Sequence, residues 1–354
     1  MITRCVRCLM PNTYPDITFN EEGVCNHCLS YKKTEPIGED RFIEKIHSRR
    51  GSQYDCVLGI SGGKDSCYVA YLAKKKFGLR ALAVTYDFPF VVDLARQNTK
   101  AVCESLGLEL LVVKSRNNFE YNLLRNHLIS LAATGTTWGQ CMFCHYGIEA
   151  VLYETAQSRD IPFILSGVTN NEVWWNPGNR IGILAKRVKN LSFAEKFLFG
   201  LYQSKAYLGL VDQRLQFPIP GNSCFNVYKR AHAPSGGPET IPVFNYIEWD
   251  QGVIEKTLHE ETGWQKPAKS LSWRYDCILE PLLDFTFKRE FGISSAGLYI
   301  CGLIRSGVIG REEALKLIEE SEDQERIDTS LRTVLDFLKI PLPIQEKFFI
   351  SPMD

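Results

Sequence analysis

The residues best suited to chemistry form the hexapeptide Ser61-Gly62-Gly63-Lys64-Asp65-Ser66. It follows the short apolar run Cys56-Val57-Leu58-Gly59-Ile60 and precedes a stretch with helical spacing. At such a turn, backbone N–H groups and the N-terminus of the helix both point toward a bound anion. The glycines let the backbone approach closely, and the serines and the Lys64 ammonium add donors. The pattern indicates a phosphate-binding turn, and the alternative is a turn that only caps a helix.

The turn differs from a Walker A loop, which has a longer spacing between its glycines and a serine or threonine after its lysine. Here Gly59 and Gly63 enclose three residues, and Asp65 follows the lysine. We interpret Asp65 as a contact for Mg²⁺, with a simple charge at the start of a helix as the alternative.

An SGGKDS turn after an apolar strand resembles the PP-loop of ATP pyrophosphatases. Enzymes of that superfamily cleave ATP between the α- and β-phosphates and leave AMP on the substrate. The resemblance implies that residues 61–66 hold the pyrophosphate. It also implies that adenosine is bound at the ends of the following strands, near Tyr86-Asp87 and Ser166-Gly167-Val168-Thr169.

A first set of cysteines forms two Cys-x2-Cys pairs near the N-terminus, Cys5 with Cys8 and Cys25 with Cys28. This spacing is typical of a zinc ribbon, in which four thiolates close a tetrahedral site and leave no open position. The predicted Zn²⁺ is structural and supplies folding free energy that so short and polar a segment lacks. The alternatives are disulfides or free thiols, and His27 is an alternative ligand.

A second set combines the pair Cys141 and Cys144 with the distant Cys224. Three thiolates leave an open coordination position, and soft sulfur ligands suit an iron–sulfur cluster or zinc. The arrangement resembles that of PP-loop tRNA thiolases, which implies a [4Fe–4S] cluster beside the ATP site. A redox-active pair or buried apolar cysteines are the alternatives. His145 is a further candidate ligand, and Cys277 stays undecided.

The elements that must position these residues alternate along the chain. Short apolar runs typical of buried strands lie at 56–60, 80–85, 109–113 and 162–165. Helical patterns lie between them at 65–76, 93–106 and 147–159. This alternation predicts a doubly wound α/β fold with a parallel sheet covered on both faces.

The second half of the chain has a different character. Beyond residue 178 the pattern is irregular and rich in proline. Helical patterns then follow at 253–263, 281–291, 294–305, 311–320 and 324–339. We therefore expect a zinc ribbon at 1–35, a PP-loop ATP pyrophosphatase domain of the adenine nucleotide α-hydrolase-like type at 36–180, and a mainly helical substrate or partner region at 181–354.

Charge and hydropathy limit the classes of function. The chain has 41 basic and 41 acidic residues. Proteins that bind a polyphosphate backbone usually carry a basic excess, so this balance disfavours RNA and DNA as partners. No apolar segment follows a basic start at the N-terminus, and no long apolar run occurs. We expect a cytoplasmic protein without a membrane span.

Stretches near both ends narrow the prediction. The N-terminal ones are Arg4-Cys5-Val6-Arg7-Cys8-Leu9-Met10-Pro11, Ile17-Thr18-Phe19 and Glu22-Gly23-Val24-Cys25. The C-terminal ones are Tyr275-Asp276-Cys277, Leu303-Ile304-Arg305-Ser306-Gly307 and Arg311-Glu312-Glu313-Ala314-Leu315. Together they resemble the N-acetyl sugar amidotransferase family of bacterial surface polysaccharide biosynthesis, including that of lipopolysaccharide.

This resemblance implies a defined reaction. ATP adenylylates the amide oxygen of an N-acetyl group on a sugar, and ammonia displaces AMP to give an acetamidino group. An amide oxygen is a poor leaving group, so its conversion to AMP is the purpose of ATP. The expected catalytic residues are Lys64, Asp65 and Asp276. Further carboxylates for Mg²⁺ or proton transfer are Glu172 and Asp87. For these two and for Asp276, an ordinary helix cap or surface charge is the alternative. Candidates for stacking on the sugar, or else core residues, are Trp174, Trp175 and Trp273.

The ammonia source is expected to be a separate chain. The sequence has no Gly-x-Cys-x-Gly elbow, and residue 2 is isoleucine. Both common glutaminase arrangements are therefore missing, which predicts a partner glutaminase subunit. The rival hypothesis is a tRNA-thiolating enzyme, based on the same turn and the two cysteine sets. A third is a zinc-ribbon module that binds ATP without catalysis.

Overall fold

The computed structural model describes residues 3–33, 35–115, 119–134, 142–169, 192–194, 196–197, 237–267 and 276–349. At the centre of this part of the chain lies a five-stranded sheet whose strands all run parallel. The strands are β1 (Cys56–Gly59), β2 (Ala81–Asp87), β3 (Glu109–Lys114), β4 (Phe163–Ser166) and β5 (Glu239–Pro242). Their order across the sheet is β3-β2-β1-β4-β5. The predicted α/β fold with a parallel sheet is confirmed.

Helices surround the sheet. The N-terminal ones are α1 (Asn26–Ser30), α2 (Glu39–His47), α3 (Lys64–Tyr71), α4 (Asp93–Leu106), α5 (Phe119–Thr134) and α6 (Met142–Ser158). The C-terminal ones are α7 (Gln251–Thr262), α8 (Glu280–Phe291), α9 (Ser295–Ser306), α10 (Arg311–Ser321), α11 (Gln324–Phe337) and α12 (Leu342–Phe349). A π-helical turn, Leu72–Lys76, continues α3. None of the described helices is long and apolar enough to cross a membrane.

The central strands β1, β2 and β4 are mainly apolar because both faces of the sheet are covered there. In β1, Cys56 and Leu58 pack into the core on one face, and Val57 packs into the core on the other. In β2, Ala83 packs into the first of these cores and Leu82 packs into the second. Successive side chains of a strand point to opposite faces, so a strand with two buried faces reads as one continuous apolar run.

Each of the two layers of helices combines elements from both halves of the chain. The core of the first face contains residues of α2, α3, α4 and α7, and that of the second contains residues of α5, α6, α8, α11 and α12. The chain leaves β1 through α3 toward β2, and it returns to the other side of β1 through α6 and β4. A crevice therefore opens at the carboxyl ends of β1 and β4, where the connections diverge.

The N-terminal segment is held against the C-terminal helices. Its apolar residues Leu9 and Met10 share a core with Phe287 and Phe291 of α8. Arg4 forms an ion pair of 3.2 Å with Glu322. The N-terminal segment thus packs against helices from the C-terminal part of the chain. The sequence pattern did not predict this contact.

The C-terminal helices α7 to α11 match the predicted helical patterns to within two residues at each end. Strand β5 was not predicted and lies inside the segment expected to be mainly helical. It pairs with β4 in parallel, from Phe163 with Glu239 to Ser166 with Pro242. The sheet therefore draws one strand from beyond the proline-rich segment.

Candidate active site

The hexapeptide lies at the carboxyl end of β1, where the chain enters α3. A cavity of about 240 Å³ opens there. Its lining includes Ser61, Lys64 and Asp65 from the turn and Ser166 and Gly167 from the end of β4. Open α/β sheets bind ligands at such a position, because the ends of two strands and the start of a helix converge on it.

Gly62 is required by the shape of the turn. Its φ is +83°, and a Cβ at this position would lie 2.0 Å from the carbonyl oxygen of Ala95 in α4. The Gly62 carbonyl accepts hydrogen bonds from Trp264 Nε1 at 2.9 Å and from Asn98 Nδ2 at 3.4 Å. The turn is therefore anchored from behind by α4 and by the residues after α7.

The serines close the turn on itself. The Ser61 N–H donates to Ser66 Oγ at 3.1 Å, and the two hydroxyl oxygens lie 3.2 Å apart. No side chain caps the N-terminus of α3, so backbone donors of its first turn remain for an anion. A Cβ on Gly167 would lie 3.1 Å from the Ser66 nitrogen, so the end of β4 packs directly on this first turn.

Lys64 and Asp65 form a charged pair in which the lysine is buried and the aspartate is partly exposed. The Lys64 side chain is 2% exposed, and its ammonium donates to Asp65 Oδ2 at 2.8 Å. Trp249 Nε1 donates to the other carboxylate oxygen, Oδ1, at 2.6 Å. The Trp249 ring centroid also lies 5.4 Å from the Lys64 ammonium, within the range of a cation–π contact. Sequence analysis did not single out Trp249, because nothing in its neighbourhood resembles a motif.

Asp276 is carried to the turn by a short antiparallel pairing of 276–278 with 90–92. The Val92 N–H donates to the Asp276 carbonyl at 3.2 Å. A Cβ on Gly63 would lie 3.9 Å from Asp276 Oδ2, and Asp276 lines the same cavity as the turn. The three expected catalytic residues are therefore brought together, although Asp276 lies far along the chain.

The remaining cavity wall is formed mainly by the end of β2 and by α6. Tyr86, Phe88, Ile148 and Leu152 line it together with Val168. These apolar side chains suit the faces of an aromatic base.

Asp87, which was expected to contact adenosine, does not line this cavity. Its carboxylate forms an ion pair of 2.9 Å with Arg96 Nε at the start of α4. The described geometry thus gives Asp87 a partner within the fold, and its contact with adenosine stays a prediction.

Tyr86 is held in place by residues that sequence analysis missed. Its hydroxyl donates to Glu120 of α5, and the Ser115 hydroxyl donates to the same carboxylate. Burial and the adjacent Glu120 charge raise the pKa of Tyr86, so its hydroxyl stays protonated. A Cβ on Gly147 would lie 2.8 Å from the Tyr86 ring, so this glycine lets α6 approach the wall.

Part of the second cysteine set lies at the cavity. Cys144 is buried and lines the cavity wall beside His145. Cys277, which follows Asp276 in the chain, lines the same cavity. Cys277 Sγ accepts a hydrogen bond from the Leu279 N–H at 3.4 Å. The other predicted cysteines of this set, one carboxylate proposed for Mg²⁺ or proton transfer and the tryptophans proposed for the sugar lie outside the described residues: Cys141, Cys224, Glu172, Trp174, Trp175 and Trp273.

The four N-terminal cysteines converge on one point. Their sulfur atoms all lie within 4.8 Å of one another. Cys5 and Cys28 sulfurs are 3.9 Å apart, and Cys8 and Cys25 sulfurs are 3.6 Å apart. Zinc–sulfur bonds of about 2.3 Å in a tetrahedron place the sulfurs about 3.8 Å apart. The four side chains thus fit a tetrahedral metal ion.

Hydrogen bonds and charge favour the thiolate form of Cys8, whereas the hydrogen bond with Cys8 raises the pKa of Cys25 and burial raises the pKa of Cys28. The Cys25 N–H donates to Cys5 Sγ at 3.2 Å, and Arg305 donates to Cys8 Sγ at 3.3 Å. A hydrogen bond from the Cys25 thiol, with help from the Arg305 charge, lowers the pKa of Cys8 to about 4 despite its burial. Arg305 belongs to one of the C-terminal stretches that carry the family resemblance, and this contact gives it a structural role.

Comparison with known proteins supports the nucleotide-binding assignment. Residues 39–123 match the sequence model of the NAD synthase family. A tRNA-specific 2-thiouridylase of Fusobacterium nucleatum is 29% identical over 113 residues, which is 31% of this chain and 32% of the relative. A glutamine-hydrolyzing GMP synthase of Chlamydia caviae is 34% identical over 91 residues, 26% of this chain and 18% of the relative. The chain thus spans a third or less of the length of these two relatives.

Among solved structures, NMN synthetase from Francisella tularensis aligns over 80% of this chain and 93% of its own, with a TM-score of 0.38 and 13% identity. The family match contains the hexapeptide, α3, β2 and α4. This part of the chain is therefore similar to the NAD synthase family, in keeping with the PP-loop ATP pyrophosphatase superfamily.

Proposed function

We propose that this protein is an ATP-dependent amidotransferase that converts the N-acetyl group of a sugar into an acetamidino group. The observation that carries the proposal is the convergence of the PP-loop turn, the buried Lys64 and Asp276 on one cavity at the carboxyl edge of the sheet. The family resemblance of the ribbon and of the segment around Asp276 supports the choice of substrate. The matched GMP synthase is named as glutamine-hydrolyzing, which is in keeping with nitrogen transfer.

The reaction proceeds in two displacements. The amide oxygen attacks the α-phosphorus of ATP, the bond from that phosphorus to the bridging oxygen breaks, and pyrophosphate leaves. Ammonia then adds to the activated carbon, the carbon–oxygen bond breaks, and AMP leaves with the former amide oxygen. The nitrogen releases a proton to solvent and the acetamidino group remains.

The residues of the chain divide the work of this reaction. The backbone of residues 61–66 and the Lys64 ammonium bind the leaving pyrophosphate, where negative charge develops. Asp65 and Asp276 are the carboxylates that would hold Mg²⁺, which would neutralise phosphate charge. The wall near Tyr86, with Ser166 and Gly167 at the end of β4, receives the adenosine. Each role remains part of the proposal.

The other parts of the proposal concern the metal, the partner and the location. We assign Zn²⁺ to the four-cysteine cluster, in a role limited to holding the ribbon. We assign the supply of ammonia to a separate glutaminase subunit, and we place the enzyme in the cytoplasm, where nucleotide-linked sugars are made.

The test is the release of AMP and pyrophosphate by the purified chain with a panel of nucleotide-linked N-acetyl sugars. Release is expected with ammonium chloride and one of these sugars, and no turnover is expected when glutamine replaces ammonium. Turnover driven by glutamine in the pure chain would contradict the separate glutaminase. Lys64→Ala is the matched control for the turn, and it should abolish release.

A second candidate function is tRNA thiolation. Cys144 on the cavity wall and the match to a 2-thiouridylase favour it. It predicts AMP release that depends on tRNA, together with a [4Fe–4S] cluster bound by Cys141, Cys144 and Cys224. Iron, sulfide and zinc analysis after anaerobic purification, with Cys141→Ser as control, separates the two functions. A protein that contains only zinc, at one ion per chain, would exclude the iron–sulfur cluster and favour the amidotransferase.

A further inference from the structure

Trp249 lies behind the phosphate-binding turn, and the cavity lining does not include it. It follows β5 and precedes α7, and the residue is partly buried. Its indole N–H donates to Asp65 Oδ1 at 2.6 Å, and its ring faces the Lys64 ammonium at 5.4 Å. One side chain therefore contacts both charged residues of the turn.

The pairing of Lys64 with Asp65 needs an outside constraint. Neighbouring residues on a helix point in directions about 100° apart and do not face each other, unlike residues three or four positions apart. Lys64 and Asp65 are neighbours at the start of α3, yet their charged groups meet at 2.8 Å. Trp249 supplies the constraint, because a hydrogen bond to one carboxylate oxygen directs the other toward the lysine.

We infer that Trp249 is a positioning residue for the phosphate-binding turn, acting through Asp65 on Lys64. This inference rests on the proposed ATP-dependent function. With Trp249 in place, the carboxylate is shared between the indole and the ammonium, and the ammonium sits at a fixed place beside the turn. Without the indole donor, the carboxylate is free to rotate away from the lysine, so the ammonium loses its fixed place beside the turn and binds phosphate less well.

The substitution that tests this contact is Trp249→Phe, which keeps an aromatic ring and removes the donor. Loss of a hydrogen bond to a charged group predicts a rise of about tenfold in the Kd for ATP. Because the effect passes through Asp65, Trp249→Phe should change the Kd by less than about twofold when Asp65→Ala is already present. The inference would be overturned if Trp249→Phe changed the Kd for ATP by the same factor with and without Asp65→Ala. An unchanged Kd in Trp249→Phe alone would overturn it too.

Trp264→Phe is the matched control, because it also removes an indole donor to the turn. That donor reaches the Gly62 carbonyl, not the Asp65 carboxylate. Its effect on the Kd should therefore be the same with and without Asp65→Ala. A dependence on Asp65 as strong as that of Trp249 would also contradict the inference, since it would show a general loosening of the turn.

Thermal unfolding without ATP tests the same pairs of substitutions independently of ATP binding. Trp249→Phe and Asp65→Ala should be non-additive in their effects on Tm, and Trp264→Phe and Asp65→Ala should be additive. Additive effects of Trp249→Phe and Asp65→Ala on Tm would show that the two side chains do not interact, and would contradict the inference. A wild-type chain that binds no ATP would instead overturn the proposed function, and this inference with it.

Discussion

At the scale of single residues, the shape of the turn at 61–66 depends on Gly62. Gly62 combines a left-handed backbone with an approach to the Ala95 carbonyl that leaves no room for a Cβ. The hexapeptide shows from sequence alone that a glycine is needed for close approach. It does not show that the approaching group is the backbone of α4, because that contact depends on how two helices pack.

Gly62→Ala should therefore destroy the turn. A Cβ placed 2.0 Å from a backbone oxygen forces the turn to move, so ATP binding should be lost and Tm should fall. Gly78→Ala is the matched control, since Gly78 has a φ of +60° but no atom within 4 Å of its Cβ position. It should lose only about 1–2 kcal/mol of stability and bind ATP as the wild type does. Calorimetric titration with ATP measures both, and ATP binding by Gly62→Ala would contradict the account.

Sequence predicts the charged residues of the site better than the residues that orient them. Lys64 and Asp65 stand inside a motif, and Asp276 stands in a stretch with a family resemblance. Trp249 and Glu120 carry no such signal, because each acts through contacts that exist only in the folded state. Their roles follow from geometry alone.

At the scale of elements, four of the five described strands and the amphipathic helices were predictable, whereas helix α5 and strand β5 were not. Helix α5 has apolar residues around much of its surface, and it includes the buried polar residues Glu120, His127 and Ser130. No single apolar stripe marks it, so the helical period is hidden. Strand β5 is short and follows the proline-rich segment, and its partner β4 is distant in sequence.

His127 gives α5 a measurable pH dependence. Burial lowers its pKa to about 4, whereas the unfolded chain protonates it near 6.5. Above about pH 6.5 the imidazole is neutral in both states, and its contribution to stability is complete. As the pH falls from 6.5 toward 4, the unfolded state takes up a proton that the folded state excludes. Stability should fall by up to about 3 kcal/mol over this window.

Urea unfolding at several pH values tests this expectation. His127→Gln should flatten the slope between pH 4 and 6.5, and His259→Gln, at an exposed position of α7, should leave it unchanged. An unchanged slope in His127→Gln would show that other groups cause the pH dependence.

At the scale of the whole molecule, the N-terminal ribbon packs against helices from the C-terminal part of the chain. Its four converging cysteines pack against α8, α9 and α10, and Arg305 of α9 donates to Cys8. Sequence predicts the four ligands from their spacing, since metal geometry restricts which spacings work. It cannot predict the surface on which the ribbon docks, because that surface is formed by helices far away in the chain.

Loss of the metal should therefore loosen the C-terminal helices as well as the ribbon. Cys25→Ser should reduce bound zinc and lower Tm, and hydrogen exchange in α8 and α9 should become faster. Cys301→Ala is the matched control, because Cys301 is buried in the same core but is not one of the four converging cysteines. It should keep one zinc per chain. Unchanged zinc content in Cys25→Ser would contradict the metal site.

The fate of one oxygen atom tests the proposed reaction most directly. A nucleotide-linked N-acetyl sugar labelled with ¹⁸O in the acetyl carbonyl should be incubated with ATP, ammonium chloride and the purified protein, and the AMP analysed by mass spectrometry. If the amide oxygen is adenylylated at the PP-loop cavity, the AMP carries the label and the sugar product gains nitrogen in place of oxygen. Unlabelled AMP, with the label still on the sugar, would contradict the account.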